Sequence, residues 1–192
     1  MRKLIFGMLT GATMAAGILA PSPSQAYPIS VDYSKYSCGD YLSMPLPDQK
    51  IFTGWLSGWF MQKSNTTAFD FTRFQINLTS VTAWCGKYKT ALLMSSVDQA
   101  MKSPASIPYN PGGKTMEMSQ IKCSDYLSDP DPNNQRFIAA WMSGYYNSKM
   151  NRTTVSWNRF EDNVQSVWKY CKGHKADTLM NVITNSKQVK VF

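Results

Sequence analysis

Few residues in this chain could carry out chemistry. One histidine, His174, and four cysteines, Cys38, Cys85, Cys123 and Cys171, stand among 12 carboxylates. His174 directly follows Gly173 at an expected helix boundary, so a Ser-His-Asp or Cys-His arrangement could form once at most. Glu161-Asp162 is an adjacent acidic pair. Asp129 and Asp131 lie in DPDPNN, where turn chemistry accounts for them, and the stretch offers too few oxygens for a calcium loop. No CxxC spacing supports a zinc site. Phosphate-cradling glycine loops are missing, since Gly112-Gly113 falls in a proline-containing stretch. The expectation is no catalytic residue, no metal site and no cofactor. Asp40 and Asp125 each follow a cysteine by two positions at an expected helix start, where a carboxylate stabilises the positive end of the helix dipole. Three Asn-x-Thr stretches begin at Asn65, Asn77 and Asn151. In a bacterial product they read as incidental.

The elements that hold these residues are written twice. Residues 55–63 read WLSGWFMQK and residues 141–149 read WMSGYYNSK, 86 positions apart. Upstream, CGDYLSMPLPDQ from Cys38 matches CSDYLSDPDPNNQ from Cys123. Downstream, Arg73-Phe74 matches Arg159-Phe160, Asn77 matches Asn163, and Trp84-Cys85 matches Tyr170-Cys171. Tyr88 stands where the second copy has His174, and Gln75-Ile76 where it has Glu161-Asp162, so neither feature belongs to the repeated unit. A fixed internal register of this length marks a duplicated structural unit. The expected layout is a leading segment 27–37, a first module 38–102, a linker 103–120 broken by three prolines and two glycines, a second module 121–187 and a tail 188–192.

Each copy has one early and one late cysteine, 47 positions apart in the first and 48 in the second. An even cysteine count in an exported protein argues for disulfides. Pairing within each copy is the economical arrangement. Pairing across the copies is the alternative, and would make each depend on the other. A module of about 65 residues buries too little apolar surface to be comfortably stable unaided.

Residues 1–26 have a basic start, an apolar run and a small-residue cleavage pattern at Ser24-Gln25-Ala26, the layout of a secretory signal peptide. Removing them takes away Arg2 and Lys3 and lowers the net charge from +8 to +6. The remaining lysines are scattered, so nucleic-acid binding is not expected. No later stretch is apolar enough to span a bilayer, so no stable membrane insertion is expected after cleavage.

Apolar residues recur at helical spacing. The first copy is expected to form a short helix after Ser37, one over 49–62 capped by Asp48, one over 70–88, and one over 90–101 with Leu93, Val97 and Met101 inward. The second copy repeats these at about 124–128, 133–148, 156–172 and 174–186. The expected class is all-α, two tandem modules of about four helices each. Gly58 and Gly144 sit mid-helix, where glycine costs about 1 kcal/mol relative to alanine. A repeated cost points to close packing of another helix there. Trp55 and Trp141 are expected core anchors. Trp59-Phe60 and Tyr145-Tyr146 are adjacent pairs that cannot both face one narrow seam. One ring of each pair is therefore expected toward the rim or an exposed apolar patch, the feature most suggestive of binding.

On these motifs, CGDYL and CSDYL, the two aromatic helices, and the closing AWCGKYK and KYCKGHK, each module resembles the HdeA/HdeB family of periplasmic acid-stress chaperones. The resemblance covers about residues 38–101 and 123–187. It implies a small helical fold with one disulfide per module, location in the periplasm, and ATP-independent binding of proteins that unfold in acid. Trp55, Trp59, Phe60, Trp141, Tyr145 and Tyr146 are then the candidate client-binding rings. The two copies would form a fused pseudo-dimer through the helices around Gly58 and Gly144. Two departures bear on the acid trigger: only two of the carboxylates are glutamates, and the chain is already positive at neutral pH. A competing reading is a constitutive periplasmic binding module, an inhibitor or immunity-type protein, using a surface cluster such as Tyr146, Trp157 and Arg159.

Overall fold

The computed structural model describes residues 30–102 and 114–185. The expected signal peptide, the Met101 side chain, residues 103–113 of the expected linker and the tail lie outside the described residues. Eight helices are described in two modules. The first holds α1 (Cys38–Ser43), α2 (Leu46–Lys63), α3 (Phe71–Lys87) and α4 (Leu93–Lys102), and the second α5 (Cys123–Ser128), α6 (Pro132–Lys149), α7 (Trp157–Gly173) and α8 (Leu179–Asn185). The disulfides are Cys38–Cys85 and Cys123–Cys171, so α1 is stapled to α3 and α5 to α7.

Local chemistry fixes the helix ends. At α1, the Ser37 hydroxyl accepts from the Asp40 N–H at 3.1 Å and the Asp40 carboxylate accepts from the Ser37 N–H at 3.0 Å, a capping box. At α5, Lys122 has no hydroxyl to offer. Only the carboxylate half survives, Asp125 accepting from the Lys122 N–H at 3.0 Å. The expected cap at Asp48 is corrected: α2 begins at Leu46 after Pro45, because Pro47 sits in its first turn, where a missing N–H does no harm. Asp131 is the cap of α6.

Asn65 and Asn151 are the only described non-glycine residues with positive φ, at 50° and 52°. Each follows the cap residue of α2 or α6. The Thr66 N–H donates to Met61 O and the Arg152 N–H to Asn147 O, which closes a Schellman turn. Asparagine tolerates this left-handed region better than most residues. Helix termination thus explains two of the three Asn-x-Thr stretches.

The leading segment and the end of the linker both carry regular structure, which corrects the expectation of an irregular linker at its final residues. The leading segment contains strand β1 (Ser30–Asp32) and a 3-10 turn, Tyr33–Lys35. Within the expected irregular linker, the final residues form strand β3 (Thr115–Glu117) and a matching 3-10 turn, Met118–Gln120. Strands β2 (Ala68–Asp70) and β4 (Thr154–Ser156) lie between the second and third helices of each module. The pairing is crossed. β1, ahead of the first module, pairs antiparallel with β4 of the second, Val31 opposite Val155. β3, ahead of the second module, pairs antiparallel with β2 of the first, Phe69 opposite Met116. Each leading strand therefore completes a ribbon in the other module.

Candidate functional site

The doubled nonapeptides form the contact between the modules. Helices α2 and α6 run side by side in the same direction. Lys50 meets Asn134, Gly54 lies against Phe137 and Gly58 against Trp141, and the Ser148 hydroxyl donates to Gln62 at 2.9 Å. The contact is reciprocal. A Cβ added to Gly58 would lie 1.9 Å from the Trp141 carbonyl oxygen, and one added to Gly144 would lie 1.9 Å from the Trp55 carbonyl oxygen. Backbone touches backbone at both points, and only glycine permits it. The repeated helix-propensity cost thus has its reason.

Around these points the aromatic rings stack. Trp55 lies on Trp59 and Trp141 on Tyr145, in both cases with centroids 5.2 Å apart and planes at 21°. Tyr33, from the exchanged leading segment, stacks on the other side of Trp55 at 3.8 Å. Lys63 and Lys149 each set an ammonium over the last ring of their ladder, Trp59 at 5.4 Å and Tyr145 at 5.1 Å, a cation–π contact. The Trp141 indole N–H donates to the Met61 sulfur at 3.3 Å.

Of the six expected binding rings, Trp55, Trp59, Trp141, Tyr145 and Tyr146 are buried and Phe60 is half-buried. The expectation that one ring of each pair lies outward holds in part for Phe60 and is corrected for Tyr146. α6 is buried continuously from Phe137 to Ser148. It faces α2 on one side and its own module on the other, so Tyr145 and Tyr146 each find cover. The Tyr146 hydroxyl donates to Met180 O of α8 at 3.2 Å, and burial pushes its pKa up to about 12. With Tyr146 inside, the cluster of Tyr146, Trp157 and Arg159 is not a single exposed surface.

Sequence reasoning missed two acidic residues that tie the modules together. Asp32 caps the first 3-10 turn. Its Oδ1 accepts from the Ser34 N–H and hydroxyl, and from the Thr153 hydroxyl of the second module at 2.9 Å. Glu117 caps the second 3-10 turn. Its Oε1 accepts from the Ser119 N–H and hydroxyl, and from the Thr67 hydroxyl of the first module. The backbone repeats the exchange: the Tyr33 N–H donates to Thr153 O and the Met118 N–H to Thr67 O, both at 2.9 Å. Hydrogen bonds from Ser34, then from Thr153 and Lys35, outweigh partial burial and hold the Asp32 carboxyl down to about 2. Those from Thr67 and Ser119 lower Glu117, and the capping-box bond from Ser37 lowers Asp40. A signal for these residues exists in the sequence: VDYSKYSC, 31–38, and MEMSQIKC, 116–123, share an acid, a serine and the apolar pattern.

His174 is exposed and caps the C-terminus of α7, stacked on Tyr170 at 3.9 Å. Among the described residues no group of three His, Cys, Asp or Glu could hold a metal ion. No described helix is long and apolar enough to cross a membrane.

The profile of the HdeA/HdeB family matches residues 5–95 and again residues 96–181. The chain belongs to the HdeA/HdeB family. Two consecutive matches show the tandem arrangement directly. HdeA/HdeB proteins are periplasmic chaperones rather than enzymes, and they bind denatured client proteins. Neither a protein of curated function nor a solved structure matches the chain.

Proposed function

We propose that this HdeA/HdeB-family chain is a periplasmic, ATP-independent chaperone that binds unfolding clients through aromatic surface uncovered in acid, its two modules forming a fused pseudo-dimer. One observation carries the reading. The aromatic helices of the doubled motif pack backbone to backbone across the two modules, with Trp141 reaching Met61 of the other module, and that contact is fastened on each side by a carboxylate reaching across to a threonine. The seam is isologous in character, each module offering the other the same surface.

The sign of the pH dependence follows from the lowered carboxyls. A group whose pKa is lower in the closed state stabilises that state above its free pKa, and the stabilisation is lost as pH falls toward the closed-state value. For Asp32 the window lies between 3.8 and about 2, and the share of the lowering that comes from Thr153 is the part lost when the modules separate. Glu117, lowered first by the Thr67 bond from the other module, acts with the same sign below its ordinary value of 4.5, whereas Asp40 is held by Ser37 within its own capping box and acts on α1 rather than on the seam. Protonation also removes every negative charge opposing the 18 lysines and arginines left after residues 1–26, and with His174 charged the chain approaches +19. Like-charge repulsion then favours parting of the modules, while the disulfides keep each one from unravelling.

The chain is expected to suppress aggregation of an acid-denatured client at pH 2–3 and not at pH 7. Equal or absent suppression at both values would refute the proposal. The Asp32→Asn/Glu117→Gln variant mimics the protonated carboxyls. Its onset of suppression, followed alongside binding of an apolar dye, is expected at higher pH than that of the unaltered chain. An unchanged onset would remove these two residues from the trigger. The constitutive-inhibitor reading has no such support, since the cluster it invoked is partly buried.

A further inference from the structure

The two modules share a fold but are not equally closed. In the second, Tyr146, Phe160, Asn163 and Val164 are all buried. Their counterparts in the first, Phe60, Phe74, Asn77 and Leu78, are only half-buried, and they line a cavity of about 710 Å³ between α2, α3 and α4. Three substitutions between the copies, which together remove two ties, go with the difference. In the second module Arg136 of α6 forms an ion pair with Glu161 of α7, and the Tyr146 hydroxyl ties α6 to α8. The first module has Lys50 and Gln75 at the ion-pair positions and Phe60 at the tyrosine position. Lys50 turns instead to Asn134 at 2.8 Å, and Phe60 has no hydroxyl to give to Met94. Both ties are therefore absent from the first module, and its groove stands open.

The chemistry of the opening selects an occupant. The walls are apolar side chains, among them Leu56, Phe60, Met61, Phe74, Leu78 and Val97, and the floor reaches Val81 and Leu93. Lys63 and Arg73 stand exposed at the lining's edge, with Asp70 as the one carboxylate among the lining residues. Lys114 precedes Thr115 on the adjoining strand β3. Cations outnumber anions around an apolar trough whose volume falls within the about 300–1,000 Å³ usual for small-molecule sites. A second cavity, of about 760 Å³, has the opposite character, with Asp32, Asp40 and Asp48 along its lining and Lys35 as its one cation.

We infer that the groove between α2, α3 and α4 of the first module binds a single-chain anionic amphiphile, a free fatty acid, with its alkyl chain against Phe60, Phe74 and Leu78 and its carboxylate toward Lys63 and Arg73. The site belongs to the closed molecule at neutral pH. It needs neither acid opening nor a protein client, so its fate and that of the chaperone proposal are separable.

The test is calorimetric titration of the chain lacking residues 1–26 with dodecanoate at pH 7, below its micelle threshold. Saturation at one dodecanoate per chain is expected. Dodecyltrimethylammonium, with the same tail and the opposite charge, should bind at least about tenfold more weakly. Lys63→Glu should weaken dodecanoate by about tenfold. The triple variant Lys50→Arg/Phe60→Tyr/Gln75→Glu installs the second module's ties in the first and should abolish binding with the helical signal unchanged. Leu78→Trp, which fills the trough without new polar ties, should do the same and covers a misfolded triple variant. Absence of saturable binding overturns the inference, as does equal affinity for the two amphiphiles. So does unchanged affinity in both groove-filling variants. Binding to phosphatidylglycerol vesicles without binding of monomeric dodecanoate would also overturn it.

Discussion

Gly58→Ala is expected to destabilise the protein by about 3 kcal/mol or more, seen as a lower midpoint in chemical or thermal unfolding, although the substitution improves helix propensity. Alanine gains about 1 kcal/mol over glycine inside a helix. Against this, the added methyl would meet the Trp141 carbonyl oxygen at 1.9 Å and the Tyr145 nitrogen at 2.9 Å. Those are backbone atoms held in a helical ladder, and they cannot swing aside as a side chain could. Overpacking of a filled interior costs about 1–3 kcal/mol, and more where nothing can yield. The steric term therefore wins, and α2 and α6 must separate along the seam. Gly144→Ala should behave alike, since its methyl would meet the Trp55 carbonyl oxygen at 1.9 Å. The double variant should cost less than the two single effects added together, because one separation relieves both clashes. Indole fluorescence should report Trp55 and Trp141 becoming solvated. A midpoint equal to that of the unaltered chain would show that the helices do not touch as described.

The second large effect concerns sulfur. Replacing Cys38 and Cys85 by alanine should cost about 4 kcal/mol in the chain-entropy picture, because the bond closes a loop of 47 residues. Cys123 and Cys171, which close 48, should cost about as much. A small protein has only about 5–15 kcal/mol in total. Loss of one bond should lower the denaturation midpoint sharply, and reduction of both should leave little folded protein at neutral pH. Unfolding titrations with and without reductant check this. The acid consequence is sharper still: without its bond, a module opened at pH 2–3 has nothing to stop it from unravelling, and aggregation suppression should fall with it. Full stability after reduction would count against the stapling role.

The helices, the within-copy disulfides and the close-packing glycines were legible because each leaves a signal over many residues or repeats at one register. The crossed strands were not. SVD, AFD, TME and TVS are three residues each, too short for alternation to register as a period. Their partners lie in the other module, where local reading cannot reach. Tyr146 was misplaced for a related reason. α6 is covered on more than one side, and a helix enclosed by neighbours has no outward stripe to tell its buried rings apart. Asp32 and Glu117 lie ahead of the cysteine-bounded copies, and their echo, which starts seven positions before each first cysteine at Val31 and Met116, is short and weak.

The exchange of leading strands, together with the single covalent chain, changes how such a molecule would recover from acid. Two separate subunits drift apart when they let go, and their reunion slows with dilution. Halves on one chain meet again at an effective concentration set by their tether, on the order of millimolar for a short flexible one. Re-closure should therefore be first-order, proceeding at one rate however scarce the protein is, and each arm would have to find its groove in the opposite half before the rings are sheltered again.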